Sequence, residues 1–375
     1  MKTFIVALLV VMVCTGCWDR KEINDLAIVS AMGLDKDPDT GAITMYYQII
    51  NPSALAPRQG GGAKAAVYTF AYRDKSLGQF PWLSTTLLPR KLFTPHVQSL
   101  IVSERYARDG VLDILNYFES NPQLRMNTYF LVADTPIDVL MNSFTPLDRV
   151  PGRYIRSLMH QHGQVFRAGV EPIRVKDLTK RLKLNQPTVV PIVKYPGTKP
   201  ASNAGKLDGI DVNEYGMSFA DGAVFREAKM TGRLSFEEKM YFFVLNGEAQ
   251  TFTIKIKVGE AFVDVEADHV RVRREWVASA NRVRVAVAAD LNVLNGADEL
   301  TEANVRSIRD AFERSVERSI EALIEKGRAN GWDLLGVQDL RGVRTADWRS
   351  AQAKVEVRTV VASTGGLLRP YETKR

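Results

Sequence analysis

The stretch TEANVRSIRDAFERSVERSIEALIEKGRANG, residues 301–331, sets Val305, Ile308, Phe312, Val316, Ile320, Leu323 and Ile324 three or four places apart. That spacing predicts one long helix with a single apolar stripe. Thr301 suits the N-cap, Glu302 suits the positive end of the helix dipole, and Gly327 or Gly331 can end it. Asp310–Arg314, Glu313–Glu317 and Glu321–Glu325 are read as the outer face. Only the first of these pairs is attractive, so the helix depends on burying its stripe.

What it buries that stripe against is written on either side. Residues 262–267, 270–273, 282–287 and 355–358 alternate apolar with polar or charged side chains. Period two with one apolar face predicts half-buried antiparallel strands, with Arg271, Arg273, Arg282 and Arg284 on the solvated face. The last domain, 261–375, is therefore expected to be an antiparallel sheet covered by one long helix.

Upstream, GMSFADGAVFREAKMTGRLSFEEKMYFFVLNGEAQTF (216–252) reads as strand, tight turn, strand, turn and helix, and Ser235 with Glu238 forms a capping box. Residues 215–260 are taken as a small, β-rich middle domain, and the polar segment 198–214 as the linker into it. Residues 17–197 form an N-terminal α+β domain. There a strand pair turns at Asp35–Gly41, and 97–133 reads as strand 97–103, helix 105–120 and strand 126–133. Thr188–Lys194 is strand-like, and 75–89 is helical with an irregular start at Pro81. The fold class is α+β and multi-domain, with mixed or antiparallel sheets and packed helices.

The chain has 375 residues, long for a single core, and its 45% apolar content can fill two or three. Fifty Lys and Arg against forty-three Asp and Glu give +7. That excess is spread along the chain without interleaved aromatics, so no nucleic acid is expected, and weak attraction to anionic lipid is the most it implies. Paired Cys/His clusters, a Gly-x-Ser-x-Gly elbow, a zinc-protease helix motif and a dinucleotide fingerprint are all missing from the sequence. The loop RQGGGAKA (58–65) lacks the Gly-Lys-Ser/Thr ending of a phosphate-binding loop. His160 and His162, two apart with no third ligand near, do not make a zinc site. No metal and no catalytic residue is nominated.

The first residues decide where the chain goes. Lys2, the short apolar run Phe4–Val13 and the small residues Thr15-Gly16 read as a signal peptide, residues 1–16. Cys17 then stands where a thiol can take a diacylglycerol and, once the peptide is cut, an N-acyl chain; these covalent lipids are the only cofactor expected. Two chains or more give stable anchoring. Cys14 stands where a bacterial lipoprotein box usually has leucine. Both cysteines lie in the first 17 residues, so no disulfide is expected in the mature chain.

After Cys17 come Trp18, Asp19, Arg20, Lys21, Glu22 and Ile23, and here the sequence resembles the Ger(x)C family of spore germination lipoproteins. The resemblance continues at His96, Glu104, Ala107, Gly110 and Arg125, at Gly222–Phe225, Lys229-Met230, Gly232, Leu234 and Glu238, and at Asp333, Gly336, Trp348 and Gly366-Leu367. Where many relatives have a glycine after that glutamate, this chain has Met240-Tyr241. His96 is assigned a structural hydrogen-bonding role.

The resemblance implies a lipid-anchored C subunit of a nutrient germinant receptor, on the outer face of the spore inner membrane and assembled with integral-membrane A and B subunits. It implies an assembly or signalling role without catalysis, and leaves open whether a small-molecule germinant meets this subunit. Trp18, Asp19, Arg20, Glu22 and Ile23 are read either as a membrane-proximal contact surface or as packing against the N-terminal domain. The alternative function is a lipid-anchored solute-binding subunit of a transporter, which would show two βα-alternating lobes about a cleft.

Overall fold

The computed structural model describes residues 22–55, 65–143, 145, 148–165, 173–196, 216–219, 221–295, 302–342 and 346–363. The signal peptide 1–16, Cys17 to Lys21, nearly all of the loop 58–65, the linker 198–214, Thr301 and Gly366-Leu367 lie outside them.

The first sheet has nine strands: β1 (Leu26–Lys36), β2 (Ile43–Ile50), β3 (Val67–Asp74), β4 (Lys91–Phe93), β5 (Ser99–Ser103), β6 (Tyr129–Ala133), β7 (Thr188–Val193), β8 (Gly222–Arg226) and β9 (Lys229–Leu234). Their order is β3-β2-β1-β5-β6-β7-β8-β9, with β4 beside one end of β1. β1, β5, β6 and β7 run parallel, and antiparallel hairpins close both ends. The parallel middle explains the apolar runs at 100–102 and 189–193, within strands that are buried throughout. Helices cover both faces of such strands, so no polar alternation survives.

Those helices are α1 (Phe80–Ser84), α2 (Glu104–Asp109), α3 (Leu112–Ser120), α4 (Ile137–Met141), α5 (Pro151–Val165) and α6 (Val175–Lys183). Leu100, Val102, Phe130 and Val132 face a core shared with α2, α3 and α6. Ile101 and Leu131 face the other, shared with α4 and α5. The helix expected over 105–120 is divided in two because Gly110 takes φ +138° and ends the first turn sequence. Gln48, fully buried, is satisfied by the Met141 carbonyl and the Gly152 N–H, which fixes α4 and α5 to the sheet.

The second sheet has the order β10 (Phe252–Val258), β11 (Ala261–Val277), β12 (Arg282–Asn295) and β13 (Gln352–Ser363). The first three are antiparallel, as the alternation predicts, and β13 runs parallel to β12. The reason is the crossover: α8 (Glu302–Asn330) carries the chain back along the sheet before β13 begins. Ahead of it α7 (Phe236–Leu245) lies against the same core, and α9 (Val337–Arg341) follows it.

Ile308, Phe312, Val316, Ile320, Leu323 and Ile324 are buried as the stripe requires, and Val305 is half-buried. Gly331 ends the helix at φ +75°, with Trp332 N–H donating to the Gly327 carbonyl at 2.7 Å and Gly331 N–H to Arg328, the paired bonds of a Schellman motif. The outer face differs from expectation. Arg309, not Arg314, pairs with Asp310. Glu313 and Glu317 turn to the free edge of β13, accepting from Thr359 N–H at 2.7 Å and Val357 N–H at 3.0 Å.

The segment 215–260 is shared rather than separate. Its hairpin β8–β9 extends the first sheet, while α7 and β10 belong to the second. The hairpin turn places Glu227 and Ala228 at φ 51° and 60°, the conformation that a two-residue connection needs to follow the strand twist. Val189, Val224 and Leu234 of the first sheet lie in the same core as α7, α8 and the second sheet.

Candidate functional site

The described chain enters at Glu22, which is exposed, and makes a short 3-10 turn over Ile23–Asp25, with Asp25 N–H donating to the Glu22 carbonyl at 3.1 Å. It passes straight into β1, where Leu26 pairs with Lys91 of β4. The anchor residue Cys17 lies outside the described residues, and so do Trp18, Asp19 and Arg20 of the predicted contact surface and the side chain of Ile23. Nine positions separate Cys17 from Leu26, so the anchor residue and the start of the first sheet are at most ~30 Å apart along the chain.

Several of the other motif positions take part in two side-chain ties, one along the first sheet and one between α7 and α8. Glu104, at the start of α2, accepts from Arg108 one turn on and from Arg233 of β9. Arg233 also spans Asp134, past the end of β6, at 2.9 and 3.1 Å. Hydrogen bonds from Arg233 hold the Asp134 carboxyl below its ordinary range. Burial raises Glu104, but the two guanidinium partners outweigh it and the net shift is down. Both carboxylates stay ionised near neutral pH and cannot act as general acids there. The cluster is a clamp between α2, β6 and β9.

A second tie runs from α7 to α8. Ser235 and Glu238 form the predicted capping box, and Glu238 reaches on to Lys326 at 2.7 and 2.8 Å. Gly232 lies directly beneath the Trp332 indole, so a Cβ there has no room. The Asp333 carboxylate accepts from the N–H groups of Val337 and Gln338 in the first turn of α9. Tyr241 buries its ring against α8, pairs with Ser319 there, and has its hydroxyl pushed up to about 12 by burial.

His96 is exposed, with its ring tilted on Phe93 at 5.3 Å; among the described residues it makes no side-chain hydrogen bond, which corrects the role expected for it. Arg125 is exposed and Ala107 buried. His160 is exposed on α5. Among the described residues no group of three or more His, Cys, Asp and Glu could hold a metal.

Sequence reasoning missed Arg233 as the partner of Glu104 and Asp134 as the second carboxylate on the same guanidinium, because 129 and 30 positions separate them from Glu104 and no local pattern marks such pairing. It also missed Lys239, only 2% exposed, whose ammonium touches the Phe219 and Asp221 carbonyls at 3.4 Å and is pushed down to about 8 by burial. A lysine leading the apolar run MYFFVL was the available signal.

Residues 19–195 match the family model of the spore germination protein N-terminal domain, and residues 220–365 match that of the B3/GerAC-like C-terminal domain. The chain belongs to the GerAC-like family of spore germination proteins. Spore germination protein KC of Bacillus subtilis is 25% identical to this GerAC-like chain over 364 residues, 89% of this chain and 85% of that protein. Spore germination protein YndF of Bacillus subtilis is 29% identical over 152 residues, 34% of this chain and 37% of that one. The crystal structure of the GerBC protein shares the fold at TM-score 0.55 and 12% identity, over 92% of this chain and 100% of that one. All the motif positions of the GerAC-like chain from Asp19 through Trp348 fall inside the two matched segments.

Proposed function

We propose that this GerAC-like chain is the lipid-anchored C subunit of a nutrient germinant receptor and acts as a non-catalytic assembly or signalling component. Its diacylglycerol and N-acyl chains at Cys17 hold it on the outer face of the spore inner membrane, beside the integral-membrane A and B subunits. The observation that carries the reading is the family match beginning at Asp19, two residues after the cysteine, so that the folded body starts directly behind the anchor. Among the described residues no helix is long and apolar enough to cross a membrane, which agrees with attachment from outside. A two-lobed solute-binding architecture finds no support, since β8 and β9 continue the first sheet and the second sheet is antiparallel over three strands.

Nutrient-induced dipicolinate release from spores tests the proposal, comparing wild type, a deletion of the gene and Cys17→Ala across single amino acids and sugars. Loss of response to particular nutrients in the deletion, with impairment in Cys17→Ala, is expected. Unchanged release under every nutrient in the deletion, in a strain lacking its other germinant receptors, would sink the receptor assignment.

A further inference from the structure

Behind the segment PWLSTTLLPRK, residues 81–91, lies a cavity of about 660 Å³ between the β1–β2 face, α1 and α3. Its size is that of sites which hold small molecules, ~300–1,000 Å³. Met32, Leu88, Leu92 and Leu124 make its wall apolar, and Arg90 and Lys91 stand at its mouth with Asp25. Arg90 and Lys91 are exposed and form no ion pair among the described residues. Tyr47 lines the cavity while only 1% exposed, and its hydroxyl has no hydrogen-bond partner among the described residues. With Tyr47 lining the cavity, its hydroxyl is placed to donate to a ligand oxygen there.

We infer that this cavity binds an amphipathic anion: an apolar chain packed on Met32, Leu88 and Leu124, an acceptor oxygen receiving the Tyr47 hydroxyl, and a carboxylate or phosphate held by Arg90 and Lys91. Two sources supply that chemistry, a free fatty acid and an anionic phospholipid of the bilayer. The surface favours the bilayer. Trp82 and Leu87, beside the mouth, are 66% and 62% exposed, large apolar side chains of the kind that settle at a lipid interface. The pairing of Leu26 with Lys91 also brings the start of β1, and so the anchor-bearing end of the chain, to the same mouth. The choice of bilayer rests on the lipid-anchored reading; the cavity itself does not.

The test uses the chain carrying Cys17→Ala, which has no lipid of its own, so binding reports the cavity and not the anchor. Its binding is measured by calorimetry with free laurate, and by co-sedimentation with vesicles of phosphatidylcholine alone or with added phosphatidylglycerol. Saturable binding that needs the anionic lipid is expected, weakened about tenfold by Tyr47→Phe and at least as much by Arg90→Ser with Lys91→Ser. Leu88→Trp, which fills the cavity, abolishes it; thermal unfolding checks that each variant is folded, and Tyr47→Phe stands alone if Leu88→Trp is not. Laurate bound without vesicle binding keeps the site and makes its ligand a soluble amphiphile. Binding of neither probe, or vesicle binding that Tyr47→Phe and Leu88→Trp leave untouched, overturns the inference.

Discussion

Arg233 sits where carboxylates from three places converge: Glu104, Asp134 and, at 4.0 Å, Asp221. Removing it leaves partly buried carboxylates facing each other, so Arg233→Ala is expected to cost about 2 kcal/mol in urea unfolding at pH 7. The pH dependence follows from the lowered carboxyls. Their folded values lie below their unfolded ones, so their contribution is complete above about pH 5 and is lost as pH falls through the folded values; the gap between wild type and Arg233→Ala therefore closes in acid. Lys239 has the opposite sense. Its folded value is depressed to about 8, so the cost of burying it is complete below pH 8 and fades as pH rises toward its unfolded value. Lys239→Met is expected to gain about 2 kcal/mol at pH 7, and that gain shrinks above pH 8. Glu104 and Glu238 were legible in the sequence as motif positions, and Ser235 with Glu238 as a cap. Their long-range partners Arg233 and Lys326 were not, because an ion pair between distant segments leaves no periodicity to read.

The long helix α8 was the most legible element, since six residues of its stripe are buried as spaced and one of the two glycines nominated to end it does so. The direction of β13 was not legible, because period two is the same in a parallel and an antiparallel strand. Nor was the division at Gly110, since apolar spacing continues through both short helices while only the backbone angle separates them. Glu313 and Glu317 looked like surface charge and instead occupy N–H groups along an otherwise open strand edge. Glu313→Ala with Glu317→Ala is expected to lower stability by about 1–2 kcal/mol and to bring concentration-dependent aggregation, read by thermal unfolding and light scattering. Wild-type scattering in the double variant would show the edge to be protected by other means.

At the scale of the molecule, the first family segment ends at residue 195 and the second begins at residue 220, yet the second supplies β8 and β9 to the sheet built by the first. The boundary seen in sequence is therefore not a boundary in the fold. A cut between residues 197 and 215 would strip β7, buried along its whole length, of its neighbour on the β8 side, and leave the β8–β9 hairpin without the strand β8 pairs with in the first sheet. Each piece alone is expected to be insoluble, whereas the two expressed together should reassemble without a covalent link and co-purify, because each carries the template the other needs. Two pieces that fold independently and ignore each other would refute this. The hairpin β8–β9 thus works as a tongue in a groove: halves taken from two different relatives should dock only when hairpin and groove come from the same parent, so compatibility between halves is decided by a dozen residues at the seam.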